Sequence, residues 1–326
     1  YVGATMTMFP IFYAVIENDL RRVLSYSLIN QVGFMVTGIG IGTELAINGA
    51  VSHVFVHIVY KALLFMSMGA VLFQTGKING SDLGGLYKSM PLTTVFCIIG
   101  AASISAFPLF SGFVAKSMVL TAALGEGYNG VWLALLFASA GVFHHSGIKI
   151  PFFAFFAHDS GIRCKEAPTN MVIAMFLAAF VCVFLGVYPW PLYDILPFPV
   201  DYEPYTAAHV LTQSQLLFFS ALAFCALKLT GLYPPELPGV NIDVDWFYRW
   251  WLPRGVKRLI QVFTPVDHKV RGVFIRVINK AIGGTFQYTG PKGILARPLP
   301  TGTMVFWAIA LLVVYLVLYL VFGVAV

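Results

Sequence analysis

Continuous apolar runs, each long enough to cross lipid, constrain this sequence more than any other feature. A hydrocarbon core of ~30 Å takes roughly 20 helical residues. Runs of that length lie near 22–42, 45–73, 91–124, 130–157, 169–188, 209–230 and 302–326, after an opening apolar run that reaches about Ile16. They do not alternate and are too long for membrane strands, so a closed barrel is excluded and the expected fold is an all-α, polytopic transmembrane helical bundle. Composition agrees. With 59% hydrophobic and 10% charged residues, against roughly 25% charged in a soluble domain, the chain lacks the polar surface its size would need in water. A cytosolic enzyme, a secreted disulfide scaffold and a nucleic-acid-binding domain are all excluded. The net charge of +6 reads as basic loops facing an anionic leaflet, with membrane lipids as partners. Because the chain opens partway into an apolar run, it is expected to be the C-terminal part of a longer protein.

The loops predict orientation. If the side holding Arg21 and Arg22 is side one, alternation of the spans also gives it Lys77, Lys88, Arg163, Lys165 and the basic stretch from Arg249 to Arg297. Side two, with loops near Glu44, Glu126 and from Pro189 to Ala208, receives no Lys or Arg. This asymmetry places side one in the cytoplasm, in a multi-pass protein of the inner (plasma) membrane, with a non-cytoplasmic C-terminus at Val326. Residues 231–301 differ from the spans in being polar, Pro-punctuated and basic. Val256, Leu259, Ile260 and Phe263, then Val270, Val273, Phe274, Val277, Ile278 and Ala281, recur at helical spacing. Arg254, Lys257, Arg258, Lys269, Arg271, Arg276 and Lys280 fill the rest. The pattern predicts an amphipathic surface helix between Trp246 and Ile282, kinked or split at Pro265.

Ionisable groups inside the spans are few, and each costs several kcal/mol unless paired or hydrated, so they mark where function is to be sought. His53, His57 and Lys61 follow one another at i, i+4, i+8 and share one stripe of one helix. The run from Pro91 to Leu124 would measure ~51 Å as a straight helix, so a break is expected at Pro108 and Gly112, with Lys116 two turns beyond the proline. The alternative there is a tilted helix whose Lys116 snorkels to the surface. In GVFHHSGIKIPFF, His144 precedes His145, which pairs with Lys149 at i, i+4; Lys149 is expected either to form a port toward side one or to snorkel. An amine taken out of water gives up its proton more readily, and histidine titrates near neutrality, so a stripe of such groups can relay protons. Neither group is a good ligand for Na⁺, which wants oxygens, and no Asp or Glu falls at the membrane centre. Cys97, Cys164, Cys182 and Cys225 form no CxxC pair, so no cysteine-held cofactor, no metal site and no catalytic centre is expected in this chain.

These motifs carry a resemblance. ENDLRRVLSYSLINQVGF, HVFVHIVYKALLF and SAFPLFSGFVAKS occur in order and resemble the antiporter-like membrane subunits shared by respiratory complex I and the Mrp-type cation/proton antiporters. GVFHHSGIKIPFFAFFAHDSGIRCKEAP is similar to the D subunits of sodium/proton antiporters. The resemblance implies that 1–188 is the second half of a proton-translocating bundle, 189–230 an added transmembrane helix, 231–301 a lateral segment and 302–326 a transmembrane anchor. It further implies that Lys61 is the connecting lysine of a hydrophilic axis, His53 and His57 its bridging partners, and Lys116 the lysine beside the side-two outlet. Ser117 departs from relatives that have Asp there. The function implied is a proton-translocating membrane subunit of a multisubunit Na⁺/H⁺ antiporter, with other membrane subunits, protons and Na⁺ as partners. The alternative is a proton-pumping membrane-arm subunit of an NADH:quinone oxidoreductase. A haem or copper site on His144 and His145 finds no further ligands in the sequence.

Overall fold

The computed structural model describes residues 1–237, 239, 241–297 and 300–323. Two compact units make up the chain, Tyr1–Asn241 and Ile242–Val326.

In the first unit the apolar runs become helices whose ends are set by local chemistry. Helix α1 is Val2–Ile16. Helix α2, Leu20–Ile41, starts where Asp19 Oδ1 accepts from the amides of Arg21 (2.8 Å) and Arg22 (3.1 Å), and stops at Gly42 in the left-handed region. This matches an acidic N-cap with a glycine stop. Helix α3, Glu44–Thr75, is capped by Thr43 and ends at a left-handed Gly76. The run that was too long for one crossing divides into α4, Pro91–Ile104, and α5, Ser111–Gly125. Between them Ala106 and Leu109 both have positive φ, a strained conformation for residues with a Cβ. The break therefore occupies 105–110 around Pro108, and Gly112 lies just past it in the first turn of α5. A Cβ on Gly112 would run into the Ser103 carbonyl, so this glycine lets the two half-helices approach.

Helix α6, Asn129–Val142, continues through a π-helical stretch, Phe143–Lys149, and a second one, Phe152–Phe156. The span expected over 130–157 is therefore present with a wider turn than an α-helix. Pro151 gives a reason: its ring would clash with the carbonyl four residues back and it has no N–H to donate, and a wider turn relieves both. Helices α7, Thr169–Val187, α8, Trp190–Tyr193, and α9, Ala207–Leu229, complete the unit. Loops assigned to one side by span counting meet one another. Asn18 O accepts from Gly80 N (2.9 Å) and Lys88 pairs with Asp159 at 2.8 Å on side one, while Asn48 exchanges two hydrogen bonds with Phe198 on side two.

The second unit holds α10, Leu252–Thr289, and α11, Thr301–Phe322. The amphipathic helix exists; it runs unbroken through Pro265 and ends seven residues beyond Ile282, so of the two expected outcomes, a kink or a split, the split does not occur. One missing amide bond in a helix of 38 residues leaves many flanking turns to hold it together. Helix α11 has no buried residue among those described. The expectation for Val326 falls outside the described residues. Among the described residues, six helices have the length and apolar character to cross a membrane, Leu20–Ile41, Glu44–Thr75, Asn129–Phe156, Thr169–Val187, Ala207–Leu229 and Thr301–Phe322. No strand occurs among the described residues.

Candidate functional site

Helix α3 runs through the middle of the first unit, packing against α2, α4, α5 and α7. Its stripe of His53, His57 and Lys61 therefore faces protein on every side, and all three residues are buried. His53 Nε2 lies 3.0 Å from Gln31 Oε1 and 2.9 Å from the Tyr60 hydroxyl, which donates to the same Gln31 oxygen at 3.1 Å. Gln31 Nε2 in turn donates to Asn30 Oδ1 at 2.7 Å, and the Asn30 amide donates to the Thr7 carbonyl. An amide oxygen only accepts, so this network assigns the ring proton of His53 to Nε2 and leaves Nδ1 as a bare acceptor. Nδ1 has no partner among the described residues. His57 stands edge-on to His53, ring centroids 6.3 Å apart, and edge-on to Tyr60 at 5.4 Å.

Lys116 does not snorkel. It is 1% exposed, with Nζ 4.5 Å above the centre of the Phe34 ring. Phe34 also packs on His53 at 5.8 Å, so one aromatic ring lies between the α5 lysine and the α3 histidine. The break beside it is stitched into the surrounding protein: Gln213 Nε2 donates to the Ser105 carbonyl at 3.2 Å, and the Tyr193 hydroxyl to the Val114 carbonyl at 2.9 Å. A cleft lined by Lys116, Ser117, His209 and Gln213 adjoins the α5 lysine on the α9 side.

Lys149 does not snorkel either. It is fully buried, and its ammonium sits on the C-terminal end of α1, 2.6 Å from the Val15 carbonyl, 2.7 Å from that of Glu17 and 3.4 Å from that of Ala14. A cation there meets carbonyls that the helix leaves unsatisfied and the negative end of its dipole. Its ion-pair partner is Glu236, 3.1 Å away. The π-helical turn changes the spacing read as i, i+4: His145 bonds through Nδ1 to Ser146 Oγ (2.9 Å), which donates to Ser27 Oγ (2.9 Å), leaving Nε2 as the bare acceptor. His145 is within electrostatic reach of Lys61, Lys116 and Lys149, His57 of Lys61, and His53 of both His57 and Lys116. His144 instead faces an aromatic group, stacking on Tyr233 at 5.5 Å and meeting Phe224 edge-on at 5.3 Å.

The residues singled out in the sequence, His53, His57, Lys61, Lys116, His145 and Lys149, are thus all buried in the first unit, each within electrostatic reach of at least one other. Lys61 Nζ, Lys116 Nζ, His57 Nε2 and His145 Nε2 have no hydrogen-bond partner among the described residues. Buried polar atoms are nearly always bonded to protein or to ordered water. Among the described residues, no group of three or more His, Cys, Asp or Glu could hold a metal ion. Three participants were missed. Tyr60 continues the α3 stripe at i+7 from His53 and was visible in the spacing. Gln31 lies on another helix, and Glu236 lies in the polar segment after α9, so only the fold brings them in.

Residues 1–144 match the family described as "NADH:quinone oxidoreductase/Mrp antiporter, TM". The chain is 40% identical over 180 residues to the D subunit of the Na(+)/H(+) antiporter of Alkalihalophilus pseudofirmus, covering 55% of this chain and 35% of that protein. It is 28% identical over 270 residues to the L subunit of the NADH-quinone oxidoreductase of Pseudomonas aeruginosa, covering 77% of this chain and 42% of that one. Its fold is similar to a chain of the Mrp complex from Dietzia sp. DQ12-45-1b, with a TM-score of 0.63 at 23% identity over 91% of this chain and 34% of the other. The chain spans about a third of the length of the curated relatives it matches.

Proposed function

We propose that this chain is the proton-translocating part of a membrane subunit in a multisubunit Na⁺/H⁺ antiporter, a reading supported by the match of residues 1–144 to the transmembrane family of NADH:quinone oxidoreductase and Mrp antiporters. The observation that carries the reading is the buried series Lys149, His145, Lys61, His57, His53 and Lys116, whose imidazoles each keep one ring nitrogen without a hydrogen-bond partner among the described residues. Water bridging these gaps would complete a path from the side-one loops to the break beside Lys116. Side one faces the cytoplasm of the inner membrane, by the positive-inside rule. Carriage of one charge across 100 mV is worth about 2.3 kcal/mol, comparable to a change of under two pKa units in a relay group. Modest electrostatic switching between neighbouring lysines therefore suffices. The chain supplies residues 1–188 as the relay bundle, 189–230 as an added helix, 231–301 as a lateral segment and 302–326 as an anchor. Other membrane subunits and lipid are its partners.

The second reading is a membrane-arm subunit of a redox-driven complex, favoured by the longer alignment to the oxidoreductase relative. In everted vesicles carrying the full-length complex, a Na⁺ pulse that collapses an imposed pH gradient supports the antiporter. A gradient built only when NADH and quinone are added supports the second reading. In either case Lys116→Ala should abolish the proton movement while the complex still assembles, and unchanged movement refutes the assignment.

A further inference from the structure

The relay has an unexplained feature at its side-one end. Lys149 is fully buried and its ammonium is surrounded by four protein oxygens, which leave no place for a water to take its proton. Three of its contacts are main-chain carbonyls of Ala14, Val15 and Glu17, which hold an ammonium but cannot take its proton. The fourth can. Glu236 Oε1 lies 3.1 Å from Lys149 Nζ, with the glutamate side chain 6% exposed.

The path of the chain after α9 explains why a carboxylate arrives here. The helix ends at Leu229, and Gly231, in the left-handed region, turns the chain back. Tyr233 then inserts among Phe224 (5.2 Å), His144 (5.5 Å) and Phe153 (6.1 Å), and its amide donates to the Leu227 carbonyl at 2.9 Å. Lys228 covers the rings of Phe153 and Tyr233. Three residues beyond this aromatic anchor, Glu236 faces Lys149 from α6, Lys228 from α9 and Glu17 from the turn after α1. The two carboxylates differ. Glu17 Oε1 accepts from the amides of Asn18 and Asp19, and its Oε2 lies 3.6 Å from Arg22 and 3.5 Å from the Asn241 amide. Neither carboxylate oxygen of Glu236 has a hydrogen-bond partner among the described residues, and both are closed to bulk solvent, so ordered water is left to complete them and Glu236 is the carboxylate able to accept a proton.

We propose that Glu236 loads the relay at its side-one end, taking a proton from water on Oε2 and passing one from its carboxyl group to the neutral amine of Lys149. The step is a proton transfer from carboxylic acid and amine to carboxylate and ammonium. It recurs each time Lys149 passes its own proton inward and water reprotonates Glu236. Burial raises the Glu236 carboxyl above the usual range, with Lys149 and Lys228 opposing the shift, so the group can hold a proton for part of the cycle. This role rests on the relay reading and adds to it the group that exchanges with water.

The test uses the full-length protein in its native complex, with Lys61→Ala in parallel. Glu236→Gln keeps the shape but cannot titrate. It should assemble and lower proton transport on the order of 10²-fold, and added formic acid, a small permeant proton carrier, should restore part of the rate. Loss without restoration shows a latch that merely holds Lys149, and overturns the proposal. Wild-type transport by Glu236→Gln with Lys61→Ala inactive overturns the proposal and leaves the relay intact. An active Lys61→Ala overturns the relay itself. Should Glu236→Gln fail to assemble, Glu236→Asp, which retains the charge, decides: a changed pH midpoint of transport supports loading at this position, and a midpoint equal to wild type contradicts it.

Discussion

A buried histidine is held in one tautomer by whatever its other nitrogen touches, and here that partner is a shared amide oxygen. Gln31 Oε1 receives both the His53 ring and the Tyr60 hydroxyl, so the tautomer of His53 depends on a residue of α2. Tyr60→Phe removes one of these bonds and leaves the histidine clamp otherwise intact. It should destabilise the protein by about 1 kcal/mol and slow transport without abolishing it. Gln31→Leu, which removes the acceptor that orients His53, should slow it more. Equal rates for the two variants and wild type would show that the orientation of His53 does not matter. The α3 stripe was legible because a helix repeats every 3.6 residues and basic residues within lipid are rare. Gln31 was not, because an amide on a neighbouring helix has no periodic relation to His53 until the helices pack.

At the scale of elements, interrupted helices position the chemistry. The break over 105–110 was expected from length and from Pro108, since no straight α-helix of that length fits a bilayer. Gly112 turned out to serve close approach to the Ser103 carbonyl and not the break itself. Gly112→Ala should therefore cost about 1–3 kcal/mol through overpacking, read as reduced thermal stability of the detergent-solubilised complex; unchanged stability would mean that the half-helices have room to spare. The π-helical turns of α6 carry no signature that the sequence reading used, although Gly147 and Pro151 supply the physical reasons. A Cβ on Gly147 would meet the Ser105 hydroxyl, which ties α6 to the break in α4 and α5. In α10 Pro265 carried a signal for a kink or a split, and the flanking turns keep the helix from splitting.

On the scale of the whole molecule, side one is fastened by polar contacts that acid alone should loosen. Arg163 and Lys88 converge on Asp159 at 2.8 Å each, and their hydrogen bonds hold its carboxyl well below the usual carboxylate range. A carboxylate whose folded pKa is depressed stabilises at pH values above its unfolded value of roughly 3.9 and loses that contribution only as pH falls through the lower folded value. The loop over 157–168 should thus stay equally ordered from neutral pH down to about pH 5. Labelling of Cys164 by a water-soluble maleimide should be slow across that range and faster in Asp159→Asn; a rate that climbs between neutrality and pH 5 would contradict the sign. The same reagent should reach Cys164 from the cytoplasmic face only, and labelling from the opposite face would invert the orientation. The all-helical, membrane-spanning character followed from hydropathy, although six helices and not every apolar run have the length to cross, whereas the return of Glu236 onto Lys149 depends on an aromatic anchor that no periodicity announces. On the proposed function these features serve one arrangement, in which water links buried amines and imidazoles that have no protein partner among the described residues. A map of the assembled complex at a resolution that shows ordered solvent tests this directly. Water bonded to Lys61 Nζ and Lys116 Nζ, continuous with water at His57 and His145, is the predicted result; a dry seam with each of these groups sealed by apolar side chains would contradict it.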